Sequence, residues 1–476
     1  MKKLIFIFCA LTLCSIRSNL FADCYWLQDL GSASIYNVVI NPLNPTIIYA
    51  ASSNQIYLSI DGGTSWIPQS VSFSPASLQI SHSSPDILYA GTSSGKVYKS
   101  TNAGLNWTDM SIGITESAPV QAICIKPNDP NTVVIALFNG SSDAVNGIYK
   151  TTNGGTSWIV SNSGIGSMKN FLSLSSNPLQ PNTIFAGSSY SLNPVTGPCY
   201  IYKSYNFGSN WFNSSNGLGI SSTSTDVISE LSFSSIDSNT LLAGLNFNTT
   251  NGGPYLTTNG GATWSQKNGG LSSLFISAAK TGSVLIKPGY NNILYLGISY
   301  SLNNQGGGVW RSDNSGLSWY NVNWGVMDST KLIYSMASYY SSPSIFFGVP
   351  TPTGQTAGIY EYYCIGGIKK IQGSVPDKFS LSQNYPNPFN PSTKIKFSLP
   401  VPSKGGVTLT IYDVLGRKVT DLIPPLRGGQ EGLQPGTYEV EWNGTNFASG
   451  IYFYKLETLV PSGESFTQTR KMVLLK

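Results

Sequence analysis

The chain has 476 residues and a formal net charge of +5; only 10% of its residues are charged, 12% are aromatic and 49 are glycine. Few charges, many aromatics and frequent glycine exclude a disordered tail and a protein built on long helices, and they suit an extracellular all-β chain with many turns.

At the N-terminus, Lys2 and Lys3 precede an apolar run from Leu4 to Leu13, and a polar stretch then leads to Leu20-Phe21-Ala22. The run is too short to cross a bilayer, so residues 1–22 read as a secretory signal peptide ending at Ala22. Its loss removes Lys2, Lys3 and Arg17 and no acid, which leaves +2. A lipid anchor on Cys14 fits less well, because Leu13 is bulky where a small residue is wanted. From Asp23 to Cys364 there are 11 Lys and Arg against 14 Asp and Glu. No basic stripe is available to neutralise phosphates, which argues against nucleic acid as a partner, and nothing after the signal reads as a transmembrane segment.

One string then recurs six times: SIDGGTSW at 59, STNAGLNW at 100, TTNGGTSW at 151, SYNFGSNW at 204, TTNGGATW at 257 and SDNSGLSW at 312. Its tryptophans, Trp66, Trp107, Trp158, Trp211, Trp264 and Trp319, are 41, 51, 53, 53 and 55 residues apart. Each string ends a longer unit. In the third, VQAICIKPNDPN is a strand with a Pro-Asn turn, TVVIALF a second strand, GIYK a third, and TTNGGTSWIV turns back into a fourth. Four strands repeated every 40 to 50 residues or so is the pattern of a β-propeller, whose blades bury their faces only by stacking around an axis. In the turn, Asn153 and its equivalents can accept backbone N–H bonds, Gly155 supplies positive φ, and the tryptophan packs between blades.

A seventh unit, residues 332–364, supplies three strands (LIYSMASYYSSP, SIFFGVP and GIYEYYC) and lacks the string. The missing strand is at the other end of the domain, where CYWLQDL from Cys24 to Leu30 carries Trp26 in the place of a string tryptophan. The expected fold is therefore all-β: a seven-bladed β-propeller over 23–364, closed by its N-terminal strand. Aligning GIYEYYC with GIYKTTN sets Cys364 on Asn153, and aligning CYW with TSW sets Cys24 on Thr156. Cys24 and Cys364 thus face each other across one turn, and a disulfide there would latch the ring by several kcal/mol in chain-entropy terms; two unpaired thiols at a seam is the alternative. Cys9 and Cys14 leave with the signal. Cys124 reads as buried packing, and Cys199 stays unassigned. No Cys or His spacing suggests a metal site, and no cofactor is expected.

The strings resemble the Asp-box, or BNR repeat, of sialidases, xyloglucan-cleaving glycosidases, sortilin-type receptors and a photosystem assembly factor, over residues 24–364. Only Asp61 keeps the acid; Asn102, Asn153, Asn206, Asn259 and Asn314 replace it elsewhere. An amide oxygen still accepts the turn's hydrogen bonds, so the boxes read as structural. Sialidases of this shape hold the substrate carboxylate with three arginines. Here Arg311 is alone between residues 23 and 364, which excludes that activity. A two-carboxylate glycosidase would draw on Asp143, Asp226, Glu230 and Asp328, on the loops and links opposite the boxes. His82 reads as a surface turn residue, and no phosphate cradle, nucleophile elbow or HExxH motif is present. The loops between second and third strands instead carry aromatics among Asn and Ser: Tyr190 and Tyr300 in two copies of SYSLN, Phe247 between them, and Trp324 on a link. These suit a sugar or peptide ligand.

After a linker at 365–375, residues 376–476 read as an Ig-like sandwich of about seven strands. Asn384-Tyr385-Pro386-Asn387-Pro388-Phe389-Asn390-Pro391, then Tyr412-Asp413-Val414-Leu415-Gly416-Arg417, Gly450-Ile451-Tyr452 and the terminal Lys471-Met472-Val473-Leu474-Leu475-Lys476 closely resemble the type A C-terminal sorting domain of the type IX secretion system of Bacteroidetes. The resemblance implies export through the periplasm and across the outer membrane, handling by that secretion machinery, and a secreted or cell-surface protein. The function expected of the propeller is binding of a polysaccharide or a surface protein partner; the alternatives are a glycoside hydrolase or lyase, or a structural surface scaffold.

Overall fold

The computed structural model describes residues 24–476 apart from 32, 116, 139–146, 167–169, 190–198, 220–225, 247–250, 272–278, 301–306, 324–330, 340–343, 351–356, 365–368, 373–374, 402–406, 424–434, 445–446 and 460–464. The side chains of 24–29, 300, 363–364, 369–370, 372, 421 and 459 are likewise outside the description. The residues read as a signal peptide fall wholly outside it. Every element among the described residues is a strand, and none is a helix long and apolar enough to cross a membrane. The chain divides into two compact units, Trp26–Tyr362 and Tyr363–Lys476.

The first unit contains seven four-stranded antiparallel sheets among the described residues. Six are made of consecutive strands; the first, for example, runs Ile35–Ile40, Ile48–Ser52, Ile56–Ser59 and Ile67–Gln69. The leading strands of the others begin at Pro75, Val120, Phe171, Ile228 and Lys280. The seventh sheet joins Ser335–Ala337, Ser344–Val349 and Gly358–Cys364 to Cys24–Gly31, which lies beside Gly358–Cys364 at the sheet's edge. Second strands such as Ile48–Ser52, Leu88–Thr92 and Leu241–Leu245 are buried at every residue, which is why they read as unbroken apolar runs rather than alternating ones. The last strands of the second to fifth sheets are only two exposed residues long, too short to template pairing with another chain.

Packing between sheets explains a small residue that recurs midway along the second strand, as in YAGTS, FAGSS, LAGLN, YLGIS and FFGVP. A Cβ on Gly91 would lie 2.6 Å from Val120 Cβ, one on Gly187 2.4 Å from Ile228 Cγ2, and one on Gly297 2.5 Å from Ile333 Cγ2. Val120 and Ile228 open the next sheet's leading strand and Ile333 stands just ahead of one, so only glycine leaves room for them. Gly348 of the seventh sheet meets Ile35 of the first in the same way, and Ser335 Oγ accepts a 3.0 Å bond from the Val38 amide. Each leading strand neighbours the next, and the seventh neighbours the first.

The glycine-rich strings fasten the opposite ends of the sheets. In the third sheet Thr151 Oγ1 donates to Asn153 Oδ1 (2.8 Å) and accepts from the Gly155 amide (3.1 Å), while Asn153 Oδ1 also accepts from the Ser157 amide (3.0 Å). Gly154 and Gly155 hold φ of 71° and 92°, as the turn requires. The Gly154 amide donates to Asn131 O, which ties the string to the start of its sheet's second strand. Trp158 Nε1 donates 2.7 Å to Met110 O of the preceding sheet; Trp211, Trp264 and Trp319 do likewise to Ser161, Ser214 and Lys267. A lysine ladder runs the other way: Lys99, Lys150 and Lys203 each donate Nζ to a backbone carbonyl of the following string. Asp61 uses its carboxylate as the asparagines use their amide, accepting from the Ser65 amide at 2.9 Å.

In the second unit, Lys369–Gln372, Gly436–Asn443, Ser392–Leu399 and Ser380–Leu381 form one sheet, in that order. Lys418–Ile423, Val407–Tyr412, Gly450–Leu459 and Ser465–Leu474 form the other. The two enclose one core that includes Ile395, Phe397, Trp442, Leu409, Tyr454 and Met472. Strand Lys369–Gln372 lies inside the stretch read as a linker and pairs with Gly436–Asn443, so this unit starts before the change in composition that marked it in the sequence. The segment from Asn384 is bonded to the end of the chain. Asn387 Oδ1 accepts from the Val473 amide, Phe389 exchanges backbone bonds with Val473 and Leu475, and Phe389 itself is buried.

Candidate functional site

Each of the first six leading strands carries the same irregularity near its start. Ile35 pairs with Ser52 and Asn37 with Ala51, so a two-residue step on one strand faces a one-residue step on its partner, with Tyr36 as the extra residue. The same β-bulge singles out Ala76, Gln121, Leu172, Ser229 and Gly282. A bulge re-aims the side chain it carries, and a bulge repeated from sheet to sheet aims a set of them at one place. All six of these residues, with Tyr334 just ahead of the seventh leading strand, line one cavity of about 550 Å³.

The cavity lies at the ends of the sheets remote from the strings. Its wall is formed by the starts of leading strands and by Ser53, Ser93 and Ser299 at or just past the ends of second strands, whereas the strings are tied to the opposite turns. The lining mixes hydroxyls and amides, such as Ser77, Ser173, Asn37, Gln79 and Gln121, with apolar Leu78, Ile123, Leu172 and Leu174. Tyr36 and Tyr334, 38% and 42% exposed, meet edge to face with ring centroids 5.9 Å apart and planes at 85°. Asn37 Oδ1 is buried with no hydrogen-bond partner among the described residues.

Glu230 is the one carboxylate among the lining residues. It is half-buried at the cavity wall. Desolvation raises its pKa to about 7, against the pull of the Ser283 hydroxyl and the Val284 amide in the opposite direction. Asp226 is not on this wall; it is fully buried. Beside it, burial and then the Asp226 charge push the Cys199 thiol upward, and Cys124 is likewise a buried thiol, raised to about 12 by desolvation. Glu230 and Asp226 therefore do not share the cavity lining, while Asp143 and Asp328 lie outside the described residues. Tyr190, Phe247 and Trp324 also lie outside them; Tyr300 closes the second strand of the sixth sheet, paired with Lys280, and its side chain is not described. The same holds for the side chains of Cys24 and Cys364. His82 is exposed in its turn. No cluster of metal-ligating side chains occurs among the described residues.

The loop aromatics stand out in the sequence where Tyr36 and Tyr334 do not. A signal exists all the same: Ile35-Tyr36 opens the leading strand of the first unit and Ile333-Tyr334 just precedes that of the last, where the other units place Ala, Gln, Leu, Ser or Gly at the matching position.

Residues 383–474 match the family model described as a secretion system C-terminal sorting domain. Comparison with curated proteins gives no match. Among solved structures, YCF48 from Cyanidioschyzon merolae aligns over 71% of this chain and 98% of its own, at 15% identity and a TM-score of 0.50. The Cps50 (Swd1) β-propeller domain from Myceliophteria thermophila aligns over 72% and 99%, at 9% identity and a TM-score of 0.49. At such identities the likeness concerns fold alone; the successive four-stranded antiparallel sheets, each leading strand beside the next, make the first unit a β-propeller. The sorting domain marks the protein for secretion through the type IX system to the cell surface or outside.

Proposed function

We propose that this protein is an exported polysaccharide-binding module: a seven-bladed propeller of Asp-box type, closed by strand Cys24–Gly31 and latched there by Cys24 and Cys364, with the sorting domain as its address. The closing strand is supported by the order of the seventh sheet and by the contacts of Gly348 and Ser335 with the first. The observation that carries the binding reading is the cavity wall. Its bulges bring exposed tyrosine rings, amides and hydroxyls to one place, and flat apolar faces beside hydrogen-bonding groups are what a sugar ring needs. Tyr190, Phe247, Tyr300 and Trp324 would extend this surface from the loops that begin at the same ends of the sheets.

Binding without turnover is favoured over glycoside hydrolysis, because that chemistry pairs two carboxylates across the scissile bond and the lining contains one. The test is a glycan array together with reducing-sugar release from plant and microbial polysaccharides. Retained glycan that is lost in Tyr36→Ala and Tyr334→Ala, with no sugar released, supports the reading. Sugar release would make the protein an enzyme; neither retention nor release would leave a scaffold.

A further inference from the structure

The cavity has an electrostatic feature that a neutral sugar does not use. Glu230 projects from the strand Ile228–Phe233 directly after the bulge at Ser229, and among the described residues no lysine or arginine lines the same wall. Among those residues the neighbouring leading strand Phe171–Ser176 brings no charged group; Lys126, at the end of Val120–Lys126, is outside the lining; Lys280, at the start of the next leading strand, is exposed and outside it; Asp226 is buried in the segment leading into Glu230's own strand; and Tyr36 and Tyr334 line the same wall. An enclosed carboxylate with only a hydroxyl and an amide beside it is stabilised most by a cation brought in with the ligand. The tyrosine rings add a second attraction for such a group, since a cation is drawn to an aromatic face.

Building on the polysaccharide-binding reading, we propose that the cavity receives a saccharide unit carrying a free primary amine, its ammonium group on the Glu230 carboxylate and its ring against Tyr36 and Tyr334. A volume of about 550 Å³ lies within the usual range for small-ligand sites, roughly 300–1,000 Å³, and confines recognition to the last units of a chain rather than a long stretch of it.

The test is titration calorimetry on the exported full chain with three probes: the trimer of glucosamine, its N-acetylated counterpart and triglycine. The glucosamine trimer is expected to bind at least tenfold more tightly than the other two. In Glu230→Gln, checked to melt no earlier than the unaltered protein, that preference disappears. Because the carboxylate must be ionised and the amine protonated, affinity for the glucosamine trimer in the unaltered protein falls by roughly tenfold between about pH 6 and about pH 5, where the amine stays fully protonated and only the carboxylate is lost, a readout that needs no variant. Equal affinity for the acetylated trimer, or a preference that survives Glu230→Gln, overturns the proposal. If the acetylated trimer binds equally and Tyr36→Ala abolishes it, polysaccharide binding stands and only the amine is wrong. Triglycine binding as tightly as the glucosamine trimer overturns the saccharide instead, and no binding by any probe overturns the whole.

Discussion

The two ends of the propeller's sheets follow opposite rules. At the string end the same side chains do the same work from sheet to sheet. A Ser or Thr hydroxyl and an Asn or Asp side-chain oxygen tie the turn, and in four sheets the indole N–H reaches back to the preceding one. At the cavity end the backbone repeats, as a bulge, but the side chain it presents changes every time, from Tyr36 to Ala76, Gln121, Leu172, Ser229 and Gly282. Repetition marks the parts that hold the sheets together. Departure from repetition, on a backbone that still repeats, marks the part free to acquire a ligand.

Substitutions can break this contrast or sharpen it. The largest effect is expected at a string tryptophan: Trp211, 2% exposed in a packed cluster and bonded to Ser161 O, should cost about 3–5 kcal/mol when changed to alanine, read as a drop in denaturant midpoint. Next comes the proposed latch, whose reduction should lower stability by roughly 2–4 kcal/mol; unreduced peptide mapping that shows no fragment joined through Cys24 and Cys364 would remove it. Gly187→Ala should cost about 1–3 kcal/mol by the same measurement, because its Cβ would meet Ile228 Cγ2 at 2.4 Å. Asn153→Ala should cost about 1 kcal/mol and Asn153→Asp almost nothing, since Asp61 shows that a carboxylate accepts the same amide bond.

The smallest effect on stability lies at the cavity, and it depends on pH. An acid whose pKa is raised in the folded state is favoured in its neutral form, so the folded state holds the proton of Glu230 over a range where the unfolded chain releases it. Stability from this group is complete below the ordinary glutamate range, near 4.5, and is lost as pH rises through about 7. Glu230→Gln should therefore raise the melting temperature slightly at pH 8 or so and leave it unchanged near pH 4.

Much of this was legible in the sequence, and the reason is again repetition. A turn written six times around Gly and Trp implies the strands beside it, and the motifs from Asn384 to Leu474 fall within one matched sorting domain. Their separation in sequence hides that two of them meet in space: Phe389 exchanges backbone bonds with Val473 and Leu475 across the sandwich edge. The bulge residues were not legible, because they share no residue type and become a set only once each strand's register shows the extra residue. Glu230 was singled out among several acids, but its separation from Asp226, one on the cavity wall and one in the interior, depends on which way each backbone turns before the strand begins. The linker boundary failed for a related reason, since Lys369–Gln372 has no long apolar run and is a strand only because Gly436–Asn443 offers it an edge.

The most direct measurement compares glycan retention and thermal unfolding for two pairs of variants: Tyr36→Ala and Tyr334→Ala at the cavity, and Asn153→Ala and Asn259→Ala at the strings. The cavity pair is predicted to lose the glycan while melting within a degree or two of the unaltered protein, and the string pair to melt earlier while still retaining it. Retention untouched by both tyrosine substitutions would contradict the assignment of the bulged end as the binding surface.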